Sequence, residues 1–228
     1  MNSILNWIKQ LELGSLLELL LITTAALLCI MVHECCHGLV ALWLGDDTAK
    51  RMGRLSLNPL RHVDPIGLVM MALLRFGWAK AVPVDMRRFR HPKAGMALTS
   101  LAGPLSNILL MLAAVFGKVF VLLGQMRFDG EIWSWLVLFL DYISVLSAGL
   151  AVFNLFPVPP LDGSKILLSL LPEQLYWKLL KYEKYGMVLL ALILVFGLLD
   201  GPLMTLRDML LDCAYALAEP LFILLYSL

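Results

Sequence analysis

The sequence predicts an all-α integral membrane bundle, with a small β element or re-entrant segment between its first two core spans. Of its 228 residues, 61% are hydrophobic and only 15% are charged. The mean hydropathy of +0.85 lies well above the average for a soluble domain. The net charge of +1 lacks the basic excess of a dedicated nucleic-acid-binding protein. We therefore expect a single polytopic membrane domain over residues 1–228.

Four apolar stretches are candidates for crossing a hydrocarbon core about 30 Å thick, which takes roughly 20 helical residues. They lie at approximately residues 16–44, 94–123, 132–156 and 185–201, and the last is short but almost entirely apolar. Residues 203–228 mix charged and apolar side chains, which predicts either an interfacial amphipathic helix or a fifth span.

The segment between the first two spans has two features of its own. An apolar run that begins at Asp64 is too short to span and contains Pro65 and Gly67, which favours a re-entrant or interfacial segment. Residues 76–85 have the β-branched and aromatic character of a short strand. Pro83 limits how this strand can pair, so an edge strand is expected.

The charge distribution predicts the topology. Ten of the 18 Lys and Arg residues lie between the first two spans, and the positive-inside rule places that segment in the cytoplasm. The lysines that follow the third span are predicted to be cytoplasmic as well: Lys165, Lys178, Lys181 and Lys184. In this multi-pass arrangement in the cell membrane, the amino terminus faces outward. The ends of the first and third spans meet on the cytoplasmic side.

The first span contains the pattern H-E-x-x-H, from His33 to His37. Four helical residues turn about 400°, so the two imidazoles lie on nearly the same face and can share one metal ion. Glu34 lies about 100° away and can reach a metal-bound water instead of the metal. Ionisable groups inside a membrane segment are functional candidates by default. The alternative is a pair of core histidines, hydrogen-bonded to neighbouring helices, with Glu34 as their partner.

The four cysteines show no spacing of a disulfide framework, and reduced thiols are expected. They are Cys29, Cys35, Cys36 and Cys213. Cys35 and Cys36 lie within the H-E-x-x-H pattern and are conceivable thiolate ligands. The turn of the helix, however, points at least one of them away from the imidazole face. A role as small packing residues is favoured.

A catalytic zinc usually has three protein ligands and one open position, so two histidines need a third residue. The candidate is Asp162, at the end of the segment NLFPVPPLDG over residues 154–163. Its three prolines cannot continue a helix, and irregular backbone at membrane depth must be buried or line a cavity. The predicted topology places Asp162 near the cytoplasmic half of the first span. Taken alone, a Pro-rich turn with Asp162 capping the next helix is the simpler interpretation.

These motifs resemble the site-2 proteases, which are intramembrane zinc metalloproteases of the M50 type. Residues 33–37 match the family's H-E-x-x-H helix, and residues 154–163 match its N-x-x-P-x-P-x-L-D-G motif throughout. Residues 102–107 are similar to the family's A-G-P-x-x-N segment. Residues 53–65 resemble compact members that lack an inserted PDZ domain. The similarity covers most of residues 25–170.

The resemblance implies one zinc ion per chain, held by His33, His37 and Asp162. It implies Glu34 as the general base and Asn154 as a residue that orients or stabilises the substrate carbonyl. A structural amide is an equally weighted alternative role for Asn154.

The expected substrate is a transmembrane protein or a signal-peptide-like segment, cut in or near the membrane and toward the cytoplasmic side. The strand near residues 76–85 is implied to receive the unwound substrate by β-addition. A zinc-binding membrane transporter or a catalytically inactive scaffold is the alternative function for the same ligands.

Overall fold

The computed structural model describes residues 13–56, 58, 61–62, 64 and 80–227. The described residues form an all-α bundle, as the composition predicted. Its α-helices are α1 (Leu13–Trp43), α2 (Thr48–Arg51), α3 (Pro92–Arg127), α4 (Glu131–Leu155), α5 (Asp162–Leu170), α6 (Glu173–Leu180), α7 (Gly186–Val195) and α8 (Asp200–Tyr226). Short 3₁₀ turns occur at Met86–Arg88 and Glu183–Tyr185.

Four of these helices are long and apolar enough to cross a membrane, namely α1, α3, α4 and α8. The first three coincide with the predicted spans at 16–44, 94–123 and 132–156. Their apolar residues are not confined to one helical face, which is expected where lipid surrounds a helix. Large apolar side chains such as Leu19, Leu109 and Phe120 are accordingly exposed on the outside of the bundle.

The structure differs from the prediction of a span at 185–201. Helix α7 has only ten residues, a length of about 15 Å, which is half of the hydrocarbon thickness. The chain turns at Gly197, whose φ of 63° lies in the left-handed region that favours glycine. The next helix, α8, then contains most of residues 203–228, and by length and composition it is a candidate span.

Helix α3 lies at the centre of the bundle and packs against α1, α4 and α8. One buried cluster joins α3, α4 and α8 through Met111, Val115, Val119, Ala148, Leu211, Ala214 and Ala218. A second joins α1, α3 and α4 through Ala25, Cys29, Ala114 and Ile143. Small residues are common in both clusters because close backbone approach, and not expulsion of water, drives helix association in lipid.

A polar contact within the bundle attaches α8 to its neighbours. The Asp141 carboxylate in α4 accepts a hydrogen bond from Lys118 in α3 at 2.6 Å and one from the Tyr215 hydroxyl in α8 at 3.2 Å. A charged group in an apolar segment is costly unless it is paired. This network therefore favours a position of α8 against the bundle over one lying flat on the membrane surface.

Residues 80–85 precede α3 and are called the strap from here on. No strand occurs in the described part of the chain, so the predicted β element is not seen there. The predicted re-entrant run from Asp64 and residues 76–79 lie almost entirely outside the described residues. Within the strap, Pro83 has no N–H to donate, and the Val82 N–H donates to the Glu34 carboxylate. At Val82, the hydrogen-bond partner of the strap is thus a side chain of α1.

Candidate metal centre

The structure brings His33, His37 and Asp162 together as one buried cluster. The two histidines come from successive turns of α1, and Asp162 is the first residue of α5. The Asp162 carboxylate Oδ2 lies 3.2 Å from His33 Nε2 and 3.1 Å from His37 Nε2. The two Nε2 atoms are 2.9 Å apart. Residues more than 120 positions apart in the chain therefore converge on one point.

The spacing of these three atoms fits a zinc ion. Bonds of about 2.0–2.1 Å in a tetrahedral site place neighbouring ligand atoms about 3.3 Å apart, close to the separations seen here. The Nδ1 of His37 lies 2.7 Å from the Thr99 carbonyl oxygen. A carbonyl only accepts, so Nδ1 carries the hydrogen, and the lone pair of a neutral imidazole lies on Nε2. Acceptor atoms this close repel one another unless a cation or protons lie between them.

Asp162 does not cap the helix that follows it. The residue at the N-cap position is Leu161, and the helix has no side-chain cap hydrogen bond. The close approach of the loop requires Gly163, because a Cβ there would collide with the carbonyl groups of Leu155 and Phe156. The sharp return of the chain after α4 thus directs the Asp162 carboxylate toward α1.

The Asp162 carboxyl lies outside the four candidate spans. Burial raises its pKa, but hydrogen bonds and charge from His33 and His37, when these are protonated, lower that pKa by more. The net pKa is below the ordinary range for aspartate. The carboxyl is therefore ionised at neutral pH, which is the form that binds a metal.

Helix α3 supplies the layer behind the histidines. The Thr99 carbonyl accepts a hydrogen bond from His37 Nδ1. The Asn107 amide nitrogen lies 3.2 Å from His33 Nδ1, and Gly103 lies between Thr99 and Asn107 in the helix. Thr99, Gly103 and Asn107 are four residues apart in sequence and so share one helical face. A Cβ on Gly103 would lie 2.5 Å from Cε1 of each histidine, so only glycine lets the two helices approach this closely. The sequence analysis did not predict that these three residues contact the histidines, although their four-residue spacing indicates a shared helical face.

Glu34 lies beside the cluster without joining it. Its Oε2 accepts a hydrogen bond from the Val82 N–H at 2.7 Å, and its side chain is partly buried. This position agrees with the predicted separation of about 100° from His33. Glu34 is thus adjacent to His33 in α1 but is not one of the three potential ligands.

The other two predicted candidates are in different surroundings. The Asn154 amide donates to the Leu150 carbonyl at 2.9 Å, one turn earlier in α4. That contact matches the structural-amide alternative, and its role toward a substrate carbonyl stays a prediction. Cys35 is directed to the loop after α2, where its Sγ donates to the Ser56 carbonyl at 3.4 Å. Neither Cys35 nor Cys36 belongs to the cluster of potential ligands.

Comparison with known proteins identifies the class. The model of peptidase family M50 matches residues 122–198, a range that includes the NLFPVPPLDG segment but begins after His37. YwhC of Bacillus subtilis (strain 168), whose name describes a proposed zinc metalloprotease, is 36% identical over 194 residues, covering 83% of this chain and 89% of the relative.

More distant relatives have names of the same kind. Rip2 of Mycolicibacterium smegmatis, also named as a proposed zinc metalloprotease, is 27% identical over 186 residues, covering 77% of this chain and 67% of the relative. Rip2 of Mycobacterium tuberculosis H37Rv is 28% identical over 185 residues, covering 77% of this chain and 66% of the relative. No solved structure matches this chain significantly.

The apolar helices, the buried cluster and these relatives define a multi-pass membrane zinc metalloprotease. The chain belongs to peptidase family M50.

Proposed function

We propose that this chain is an intramembrane zinc metalloprotease that hydrolyses peptide bonds in or near transmembrane segments, close to the cytoplasmic side. The observation that carries the proposal is the convergence of three ligand atoms within 3.2 Å of one another, two of them on a helix long enough to span a membrane. In this proposal His33, His37 and Asp162 hold zinc, one ion per chain, and Glu34 is the general base.

The chemistry divides between the metal and the protein. Zinc, when bound, supplies a Lewis acid that activates water and polarises a carbonyl group. Glu34 takes a proton from the attacking water and delivers it to the leaving amine. The hydrogen bond from the Val82 N–H holds one carboxylate oxygen of Glu34, which leaves the other oxygen for proton transfer. Asn154 supplies a second donor toward the substrate carbonyl once its amide leaves the Leu150 carbonyl.

The hydrogen bond of Asn107 also bears on zinc binding. With its nitrogen toward His33, the Asn107 Oδ1 is buried without a partner. If the amide is rotated by 180° about its terminal bond, Oδ1 accepts from a hydrogen on His33 Nδ1. The Nε2 lone pair of His33 is then free for the metal, as it is in His37. Zinc binding favours this rotamer because a ligand imidazole usually donates its other N–H to a neighbouring acceptor.

The depth of the site supports cleavage near the cytoplasm. His33 and His37 lie ten and six residues before the end of α1 at Trp43, which is about 15 and 9 Å along the helix axis. The positive-inside rule assigns that end to the cytoplasm. A substrate helix must unwind before it is cut, because its scissile peptide is otherwise hydrogen-bonded within the helix. The proposed substrate is a single-pass or signal-peptide-like segment, which the strap receives as an extended chain.

The position of cleavage tests this proposal. We expect the purified enzyme in lipid vesicles to cut a single-span reporter in the cytoplasmic half of its transmembrane segment. Mass spectrometry of the two fragments gives the new termini, and the Glu34→Gln variant controls for contaminating proteases. Termini in the outer half of the span would contradict the proposed orientation of the site.

A further inference from the structure

We propose that Arg54 is a positioning residue for Glu34 and that it acts through a single peptide group of the strap. The inference rests on the proposed role of Glu34 as the general base. Arg54 lies in the loop after α2, and Glu34 lies in α1. The peptide group between Ala81 and Val82 connects them.

Arg54 is a buried cation whose hydrogen bonds go to backbone. The residue is 8% exposed, and its Nη2 donates to the carbonyl oxygens of Lys80 at 2.5 Å and Ala81 at 3.2 Å. Its Nε is buried without a hydrogen-bond partner. Among the described residues, no carboxylate forms an ion pair with it. A buried charge that is only partly satisfied costs stability, so packing alone does not account for it.

The planarity of the peptide bond carries the effect of Arg54 to Glu34. The Ala81 carbonyl and the Val82 N–H belong to one planar trans unit, so they point in opposite directions. Arg54 binds the oxygen end of this unit, and the Glu34 carboxylate binds its N–H end at 2.7 Å. If the peptide rotates, both hydrogen bonds are lost together. Opposite charges at the two ends also polarise the peptide in the direction that strengthens both bonds.

Other contacts hold the strap at the same place. The Lys80 N–H donates to the His62 carbonyl oxygen at 2.8 Å. The Val82 side chain packs against α1 at Gly38, where an added Cβ would lie 3.1 Å from Val82 Cγ1. These contacts fix the position of the strap along α1. Rotation of the Ala81–Val82 peptide remains possible, and the bond from Arg54 to the Ala81 oxygen opposes it.

Lysine cannot replace arginine in this role. The guanidinium presents its N–H groups in a rigid plane, whereas an ammonium group is a compact charge at the end of a shorter chain. Arg54→Lys keeps the positive charge but loses the planar donor that reaches both carbonyls. The matched control is Arg61→Lys in the same loop, because Arg61 donates to the Gly53 carbonyl and its side chain is exposed.

Hydrogen–deuterium exchange tests the structural link without any substrate. We expect Arg54→Lys to speed amide exchange in a peptide covering residues 80–83 by at least about tenfold, because both ends of the Ala81–Val82 unit are released. Glu34→Ala should speed the same amides, and the double variant should add little, since the two residues act on one peptide. Arg61→Lys should leave the exchange unchanged. The proposal would be overturned if Arg54→Lys showed unaltered exchange while its thermal transition demonstrated that the variant is folded.

Kinetics distinguish positioning of the base from docking of the substrate. We expect kcat of Arg54→Lys on a reporter substrate to fall at least about tenfold, because small misplacements of a catalytic group are costly. KM should change less than about threefold, and zinc should stay at one ion per chain. A raised KM with unchanged kcat would assign Arg54 to substrate docking and overturn the proposal. If the wild type cleaves nothing while the exchange result holds, the proposed function fails and the link from Arg54 to Glu34 stands.

Discussion

Glu34→Gln is expected to reduce cleavage of a membrane-spanning reporter by about 10²–10⁴-fold, the range for loss of a positioned general base. Glutamine has nearly the same shape, and its amide oxygen can still accept the hydrogen bond from the Val82 N–H. It cannot take up the proton of the attacking water. Zinc should remain at about one ion per chain, because Glu34 lies outside the cluster of His33, His37 and Asp162. Cleavage assays and elemental analysis of the same sample give both values.

Glu18→Gln provides the matched control for this experiment. Glu18 lies in the same helix and accepts a hydrogen bond from the Tyr142 hydroxyl, fifteen positions before His33 in the sequence. The same chemical change there should leave cleavage unaffected. Loss of zinc in Glu34→Gln would assign Glu34 to the metal instead of to the proton. A wild type that moves zinc across vesicles and cleaves no membrane segment would favour a transporter.

Gly103→Ala is expected to lower zinc affinity by about 100-fold or more and to abolish cleavage with it. The added Cβ would lie 2.5 Å from Cε1 of both His33 and His37, and such overpacking typically costs about 1–3 kcal/mol or more. Movement of either ring separates it from the Asp162 carboxylate. Competition with a chelator measures the affinity, and circular dichroism establishes that the helices are intact.

Gly117→Ala is the control for Gly103→Ala in the same helix. A Cβ at Gly117 would meet only Leu140 Cδ1 at 3.9 Å, an ordinary van der Waals contact. We expect unchanged zinc affinity and unchanged cleavage there. Full zinc content and normal activity in Gly103→Ala would contradict the position of α3 against the two histidines.

The sequence alone predicted the parts of the site that depend on local periodicity. The four-residue spacing of His33 and His37 sets their shared face in any helix, and the position of Glu34 follows from the same geometry. Asp162 could not be derived in this way. By itself it suited a helix cap. The predicted topology placed it near the cytoplasmic half of the first span, and the family resemblance implied that it binds the metal there. Its position depends on the path of a loop that begins after α4.

The fold was predictable where hydropathy and helix length agree. Residues 185–201 are apolar enough for a span, but hydropathy does not report where a helix ends, and the turn at Gly197 leaves α7 only ten residues. In α8, charged residues lowered the hydropathy, although the helix is long enough to cross.

Contacts between distant segments were beyond what the sequence could predict. Composition indicated a strand at residues 76–85, but its described part bonds to side chains of α1 and the following loop. From the sequence, Arg54 was only one of the ten basic residues that predicted the membrane topology. Its contact with the Ala81–Val82 peptide depends on how the loop folds over α1, and no local pattern encodes that fold.

The central claim is that His33, His37 and Asp162 are the protein ligands of one zinc ion. X-ray absorption at the zinc edge of the purified protein tests it most directly. We expect a first shell of nitrogen and oxygen atoms only, at about 2.0–2.1 Å, with the multiple scattering of two imidazoles. Asp162→Ala should remove zinc or alter this shell. A sulfur scatterer at about 2.3 Å would place Cys35 or Cys36 on the metal and contradict the assignment.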